Sequence, residues 1–292
     1  MSARYPAKTV ILGDSGFIGR RLREYLSAGG AAVHGFSSRS LDLRRPDELA
    51  ALDDLVDAGT TLVLAAALAP PRGGTLDGLA DNLAMVTNVA RYLEGHAVGK
   101  CVYFSSDAVY PLNGEPVTED TPVAATNYYA LGKIASEDVL RLAAAAKGVP
   151  LLVLRPTAVY GPGDTHSSYG PNRFCRSIVR ERSVRLFGDG EETRDHLYVD
   201  DLVELTARLG ASDASGVYNL ATGTTRTFGS IVEELGHLAP EGFEVARAPR
   251  AGAVTHRQFD VSRLLAAVPG FQFTPFGEGL AATFAASQAE GT

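Results

Sequence analysis

The stretch "GDSGFIG" sets Gly13, Gly16 and Gly19 three residues apart, directly after the apolar run "TVIL" and directly before the helical pattern "IGRRLREYLSAG". A glycine at a strand-to-helix turn lets backbone approach a phosphate closely. The helix N-terminus behind it offers unpaired N–H groups and a positive dipole end. A glycine triplet on its own is also compatible with a tight structural turn. At the first strand–helix junction of an alternating chain it reads as a dinucleotide-binding loop.

The alternation runs through the first half. Strand candidates are "KTVILG" (8–13), "AAVHGFS" (31–37), "TLVLAAA" (61–67), "KCVYFSS" (100–106) and "PLLVLRP" (150–156). Each is short, bounded by Gly, Pro or Ser, and apolar on both faces, as strands buried on both sides are. Between them "PDELAALDDLVDA", "LADNLAMVTNVARYLEGH" and "YYALGKIASEDVLRLAAAAK" carry helical spacing. Strand–helix alternation predicts an α/β fold built on a doubly wound parallel sheet.

After residue 160 the texture changes. "YGPGDTHSSYGPN" reads as a loop, followed by a helix "RFCRSIVRER", a strand "VRLFG", a helix "VDDLVELTARLG", the run "VYNLA" and a last helix "FGSIVEELGHLA". Ligands of open parallel sheets bind outside the carboxyl ends of the strands. Residues 1–160 are therefore expected to form the nucleotide-binding domain, with a returning segment near 190–222. Residues 161–292 are expected to form mostly a smaller lobe that closes over that edge. "MSARYP" and "SQAEGT" read as loose ends.

Composition limits the partners. The 292 residues are 45% hydrophobic and 21% charged, enough to bury a full core. A net charge of −7, a pI near 5.4 and the lack of a long Lys/Arg run argue against a general nucleic-acid binder. An anionic ligand must be met by local arginines, helix termini or backbone amides. Cys101 and Cys175 show no metal-ligand spacing, so no metal is expected, and a disulfide is not suggested. With no signal-peptide stretch and no window of about eighteen apolar residues, the expectation is a cytoplasmic protein off the membrane.

The end of the second strand candidate selects the cofactor. An acidic side chain there bonds the ribose hydroxyls of NAD, whereas a neutral or basic set admits the extra phosphate of NADP. Here the chain reads "HGFSSRSLDL": Ser37 takes the acidic position, with Ser38 and Arg39 next. Hydroxyls with a guanidinium suit a phosphate, so NADP(H) is favoured and NAD(H) stays open; Arg39 as a solvated surface residue is the other reading. Asp42 is a candidate adenine contact. In "NYYALGK", Tyr129 and Lys133 stand four apart, one turn from each other on a helix. By spacing alone that is either a proton-transfer pair or an ordinary helix start.

"GDSGFIG", "FSSDAVY", "YALGK", "RPTAVYGPG" and "LFGDGEETRDHLYVDDL" together resemble the short-chain dehydrogenase/reductase superfamily, and more closely its extended branch, over nearly the whole chain. That branch, the NAD-dependent epimerase/dehydratase type, acts mainly on nucleotide sugars on a Rossmann-type fold. The resemblance implies that Tyr129 is the general acid/base, that Lys133 bonds the nicotinamide ribose and lowers the tyrosine pKa, and that Ser106, rather than Ser105, bonds the reacting oxygen. Tyr128, five before Lys133, is not the catalytic tyrosine. The implied cofactor contacts are Gly13, Gly16, Phe17, Ile18, Gly19, Ser37, Ser38, Arg39, Asp42, Leu43, Ala65, Ala66, Tyr129, Lys133 and Pro156. The implied substrate contacts are Ser106, Asp107, Asn172, Arg194 and Arg250, the two arginines on the sugar-nucleotide diphosphate.

Alternatives accompany these assignments. Arg194 could instead pair with Asp195 or Asp200, Asn172 could cap the following helix, and Asp107 either assists Ser106 or caps a turn. The sequence also departs from the branch: Ala158 stands where a substrate-contacting Asn is common, and Ala108 where dehydratases and decarboxylases carry Glu. "VYP", "RSLDL" and "PTAVYGPGD" resemble GDP-fucose synthase-type reductases. Those enzymes also epimerise ring carbons with a Cys, here Ala108, and a later His that aligns near Ser168, with His166 close by. The expectation is an NADPH-dependent 4-ketoreductase of a nucleotide-linked deoxysugar. A C4 epimerase with tightly held NAD is the alternative, and a non-catalytic cofactor-sensing regulator a remote one. The resemblance further implies a homodimer through "LADNLAMVTNVARYL" and "YYALGKIASEDVLRLAAA".

Overall fold

The computed structural model describes residues 5–112, 116–166, 168–250 and 252–291. Its strands are β1 (Lys8–Leu12), β2 (Ala32–Phe36), β3 (Thr61–Leu64), β4 (Lys100–Phe104), β5 (Leu151–Pro156), β6 (Ala158–Tyr160), β7 (Ser183–Phe187), β8 (Thr193–Tyr198), β9 (Gly216–Leu220), β10 (Thr225–Thr227) and β11 (Glu244–Ala248). Its helices are α1 (Phe17–Ala28), α2 (Leu76–Gly95), α3 (Tyr128–Lys147), α4 (Pro171–Glu181), α5 (Val199–Ala211), α6 (Phe228–Leu238), α7 (Ser262–Ala267) and α8 (Phe276–Gly291).

The main sheet is parallel throughout, in the order β2-β1-β3-β4-β5-β9. This is a Rossmann α/β fold. Strand order reverses between β1 and β3, which opens a crevice at their carboxyl ends. The apolar runs of β3 and β4 are buried along their whole length because helices cover both faces. One core lies under α2 and α3 (Val89, Leu93, Leu140) and the other under α1 and α5 (Leu22, Leu26, Leu202, Leu205). A smaller unit gathers α4, α6 and α8 around Phe174, Ile178, Ile231, Leu235 and Leu280. Two short sheets accompany it, β10-β8-β6 and β11-β7. Cys101 and Cys175 are both buried and unpaired. No helix among the described residues is long and apolar enough to cross a membrane.

Several expectations are corrected. β2 is not buried on both faces, because it is the sheet edge and its residues are exposed or half-buried. "PDELAALDDLVDA" gives only a 3-10 turn over Pro46–Leu52. The Asp57 carboxylate ends that segment by accepting from Gly59 N–H at 2.8 Å and from the Thr60 hydroxyl at 3.0 Å, a local turn that outcompetes helix. "FGSIVEELGHLA" is not the last helix, since α7 and α8 follow it. "SQAEGT" is no loose end: α8 continues to Gly291, with Ser287 buried on its inner face. At the other end residues 1–4 of "MSARYP" lie outside the described residues, while Tyr5 packs edge-on against Tyr25 with ring centres 5.6 Å apart. In the later chain α5 and β9, both within the segment near 190–222, join the main sheet, and Leu264 of α7 packs into the same core.

Candidate active site

The glycine loop is fixed by close approach. Gly13, at φ +99°, donates its N–H to Phe36 O at 2.7 Å. A Cβ on Gly13 would stand 2.5 Å from Ala66 N, and one on Gly19 would stand 2.1 Å from Gly13 O. Only glycine allows β1, the end of β3 and α1 to meet this tightly. No side chain caps α1, so its first N–H groups are unclaimed. Asp14 turns its carboxylate away to Arg23, 2.7 Å distant, over Gly35.

Two cavities adjoin this loop. The larger, about 390 Å³, is lined by Gly16, Phe17, Ile18, Gly19, Ala65 and Pro156 together with Ser106, Tyr129 and Lys133. The other, about 190 Å³, is lined by Gly13, Ser37, Ser38, Asp42, Leu43 and Ala66. A missing side chain at each glycine and an uncapped helix end are what a dinucleotide pyrophosphate requires, so the residues fit that group. The structure does not bring Arg39 into either lining. Ser37 and Ser40 close a tight turn that leaves Arg39 exposed. The cations that do line the smaller cavity are Arg44 and Arg72, which the sequence reading missed. Arg44 holds Asp42 at 2.7 Å, and that bond keeps the Asp42 carboxyl down at about 2.

At the end of β4 the two serines part. Ser105 donates to Glu137, which Arg155 holds at 2.9 Å through Nε. Arg155 donates on to the Tyr110 hydroxyl at 2.7 Å, and that hydroxyl to Asn219 at 2.8 Å. Ser105 thus anchors a buried network. Ser106 caps the turn Asp107–Val109 by accepting from Ala108 N–H at 3.1 Å and donates to Asp107 Oδ1 at 3.4 Å, with Tyr129 close enough to feel its hydroxyl. Asn127 caps α3 by accepting from Ala130 N–H at 2.9 Å, which fixes the helix start carrying Tyr129. Lys133, one turn on, is buried and donates to Phe104 O at 2.6 Å, with Nζ 5.8 Å from the centre of the Tyr129 ring. Burial pushes the Tyr129 phenol up, and the Ser106 hydrogen bond pulls against it. Burial likewise brings Lys133 down to about 8, against the pull of the Glu137 charge. Tyr128 is exposed on the outer face of α3.

Asp107 does not cap the turn; Ser106 does. Its carboxylate is paired with Arg257, at 2.8 Å from Nη1. The same guanidinium donates to Asp107 O at 2.8 Å and Tyr110 O at 2.9 Å. Arg257 went unnoticed in the sequence because its partner lies 150 residues away. Arg194 pairs with neither Asp195 nor Asp200. Asp195 is wholly buried and holds the Thr222–Gly223 turn, whereas Asp200 binds Arg21. Arg194 instead donates to Thr255 O and Oγ1, both at 2.8 Å, and faces an open recess of about 410 Å³ together with Arg257. Arg250 lies outside the linings described so far, bound to Glu191 at 2.6 Å and Glu192 at 2.9 Å. Asn172 lines the main cleft and accepts from Gly161 N–H at 3.1 Å; Gly170, not Asn172, is the cap of α4. Ala158 lines both spaces, and His166 is an exposed member of the cleft wall. His196, which the sequence reading did not single out, is buried at the junction of cleft and recess.

Known proteins are similar to this chain in sequence and in fold. The sequence model of the NAD dependent epimerase/dehydratase family matches residues 9–221. A UDP-glucose 4-epimerase of Mycolicibacterium smegmatis is 29% identical, over 94% of this chain and 97% of its own. A GDP-6-deoxy-D-mannose reductase of Pseudomonas aeruginosa is 31% identical, over 82% of each chain. Among solved structures, RMD from Pseudomonas aeruginosa complexed with NADPH superposes with a TM-score of 0.87 at 23% identity, covering 97% of this chain and 99% of its own. A Thermus thermophilus UDP-glucose 4-epimerase in complex with NAD gives 0.84 at 25%, covering 96% and 99%.

Proposed function

The chain belongs to the NAD dependent epimerase/dehydratase family, and from that premise we propose that it is an NAD(P)-dependent oxidoreductase of a nucleotide-linked sugar, reducing the 4-keto group of a deoxysugar nucleotide with NADPH. The observation that carries the reading is the Asp107–Arg257 pair. It ties the carboxylate beside Ser106 to a guanidinium through a salt bridge and a hydrogen bond. Ala108 follows where an eliminating enzyme would need a second acid. Tyr129 is left as the proton donor at the reacting point, which suffices to reduce a carbonyl and not to expel water or deprotonate a ring carbon.

In this reading the substrate oxygen sits between the Ser106 and Tyr129 hydroxyls. Bound nicotinamide supplies the hydride. Tyr129 gives its proton to the oxygen, and Ser106 bonds the same oxygen and so fixes its position. Lys133, with its value near 8, is still mainly an ammonium at pH 7, so its charge favours the phenolate left behind. Ser37 in place of a carboxylate, with Arg44 and Arg72 in the same cavity, supports NADP(H). Arg194 and Asn172 would meet the nucleotide part. Two copies would pair through α2 and α3, where Tyr128, Leu131 and Leu142 leave an apolar stripe exposed on α3.

The M. smegmatis relative, an epimerase over nearly its full length, favours the second reading: a C4 epimerase, which uses the same Ser106, Tyr129 and Lys133. Denaturing the purified protein and identifying released nucleotide by mass separates the two. An empty protein that binds NADPH well above NADH and oxidises it with a GDP-, UDP- or dTDP-linked 4-keto-6-deoxysugar supports reduction. Stoichiometric NAD, with UDP-hexose interconversion, supports the epimerase.

A further inference from the structure

Lys133 is 5% exposed, and its amine donates to Phe104 O at 2.6 Å. An ammonium in such a place has lost its water, which is why burial brings it down to about 8. The groups around it come from four elements. From β4 the Tyr103 ring has its centre 4.9 Å from Nζ. From α3 itself come Tyr129, Ser136 and Glu137, and from α2 comes Asn82, which lines the same small space. From β5, Arg155 reaches Glu137. Asp107, on the turn after β4, acts on Tyr129. Of these groups, Glu137 is the one whose charge opposes the desolvation of the lysine.

Glu137 stands four residues after Lys133, one helical turn along the same face. Both of its oxygens are engaged. Oε1 accepts from the Ser105 hydroxyl and from Arg155 Nε at 2.9 Å, and Oε2 accepts from Arg155 Nη2 at 2.5 Å. Such a two-point fork fixes the carboxylate in direction as well as distance. Arg155 is in turn braced on the Tyr110 hydroxyl at 2.7 Å. Ser105 sits between Phe104, whose carbonyl receives Lys133, and Ser106, whose hydroxyl stands at the reacting point. One carboxylate therefore acts by charge on the lysine and by hydrogen bond on the strand end that holds both. An apolar pair of the same volume would hold α3 on β5 as well as this ion pair does. It could not oppose the desolvation of the lysine.

We propose that Glu137 is a positioning residue for the Tyr129–Lys133 pair: its carboxylate, held by Arg155, is the counter-charge of the buried Lys133 ammonium and, through Ser105, the tether of the strand end that carries Ser106. The assignment rests on the reading of Lys133 as the charge that favours the Tyr129 phenolate. Glu137 is not part of the cleft lining, so it reaches the reaction only through Lys133 and Ser105. Without its charge Lys133 gives up its proton at lower pH, and the phenolate loses its support in the neutral range. Acid restores the ammonium and with it the rate.

The test follows the Lys133 side-chain titration by NMR, without substrate, in the wild type, Glu137→Gln and Glu137→Gln/Arg155→Met. The double variant removes both charges, so the measurement survives if a stranded guanidinium unfolds the single one. The midpoint is expected about 1–3 pH units lower in both variants. A second arm records NADPH oxidation against pH with GDP-, UDP- and dTDP-linked 4-keto-6-deoxysugars. The variants' kcat should be roughly 2- to 90-fold lower at pH 7, the deficit shrinking as pH is lowered. A merely structural role would cost the same factor at every pH. An unmoved Lys133 midpoint overturns the inference and leaves the reading of Lys133 standing. A lowered midpoint with a pH-independent deficit, or with none, overturns both. If the wild type turns over none of these sugars, the proposed function falls, and the titration still decides whether Glu137 is the counter-charge.

Discussion

The two edges of the cleft are held by different forces. On the cofactor edge, backbone meets backbone: Gly13 against Ala66, and Gly19 against Gly13. On the substrate edge, side-chain charges do the holding. Arg257 pins the turn after Ser106, Arg250 binds Glu191 and Glu192, and Asp195 ties down Thr222 and Gly223. The first edge presents one shape to one invariant group, a pyrophosphate. The second can be rewired by exchanging charges.

Where the edges meet, chemistry should be separable from holding. Tyr129→Phe is expected to lower the rate roughly 10²- to 10⁴-fold, with NADPH affinity and melting temperature unchanged; near-full turnover would remove Tyr129 from its role. The next largest effect is expected on the charged edge. Arg257→Met leaves the largely buried Asp107 carboxylate without its partner and should destabilise by about 3 kcal/mol, read by urea unfolding. Adding Asp107→Asn should restore a good part of that loss. If the double variant is no better than the single one, the carboxylate was not the source.

The backbone edge should respond to shape alone. Gly19→Ala puts a methyl group 2.1 Å from a backbone oxygen, which no rotamer can relieve. Roughly 2–3 kcal/mol of stability should go, the upper range for overpacking, and NADPH affinity with it. Gly95→Ala, in α2 with nothing within 4 Å of the new atom, is the control and should be neutral or slightly stabilising. Equal losses in the two variants would show that close approach does not explain the first.

This contrast also explains what the sequence discloses. The doubly wound half is legible because its strands are short apolar runs and its glycine loop is a local pattern. Ser106, Tyr129 and Lys133 fall within such patterns, on one strand end and one helix turn. β8 was missed because "TRDHLY" looks like surface: its Asp195 is buried only because Thr222 and Gly223 come to meet it. The Asp107–Arg257 pair spans 150 residues, so no window contains it. Arg39 follows from counting along the chain from the strand end, but the turn at Ser37–Ser40 leaves that arginine exposed, and Arg44 lines the cavity instead. Position along a strand was readable; the direction in which a turn sends a side chain was not.

The smallest effect, and the sharpest division between the edges, lies in acid. The folded His196 value near 3 is below the ordinary 6.5. Below pH 6.5 the unfolded chain therefore takes up a proton that the folded one refuses, and stability falls with pH until about 3. At pH 5 this amounts to about 2 kcal/mol. Asp195 titrates in the opposite sense. Its folded value is raised by burial to about 6, above the ordinary 3.8, so falling pH through that window relieves a strain and adds stability. The raw acid profile of the wild type mixes the two. The difference between wild type and His196→Phe isolates the histidine, since Asp195 is present in both. That difference should grow in favour of the variant by about 1.4 kcal/mol per unit of pH below 6.5 and be flat above 7.5. A Gly19→Ala variant measured in the same way should stay parallel to the wild type. A flat difference for His196→Phe would mean that the folded imidazole takes up its proton as readily as the unfolded one, and so is reached by water or an acceptor where the structure leaves both ring nitrogens buried without a partner.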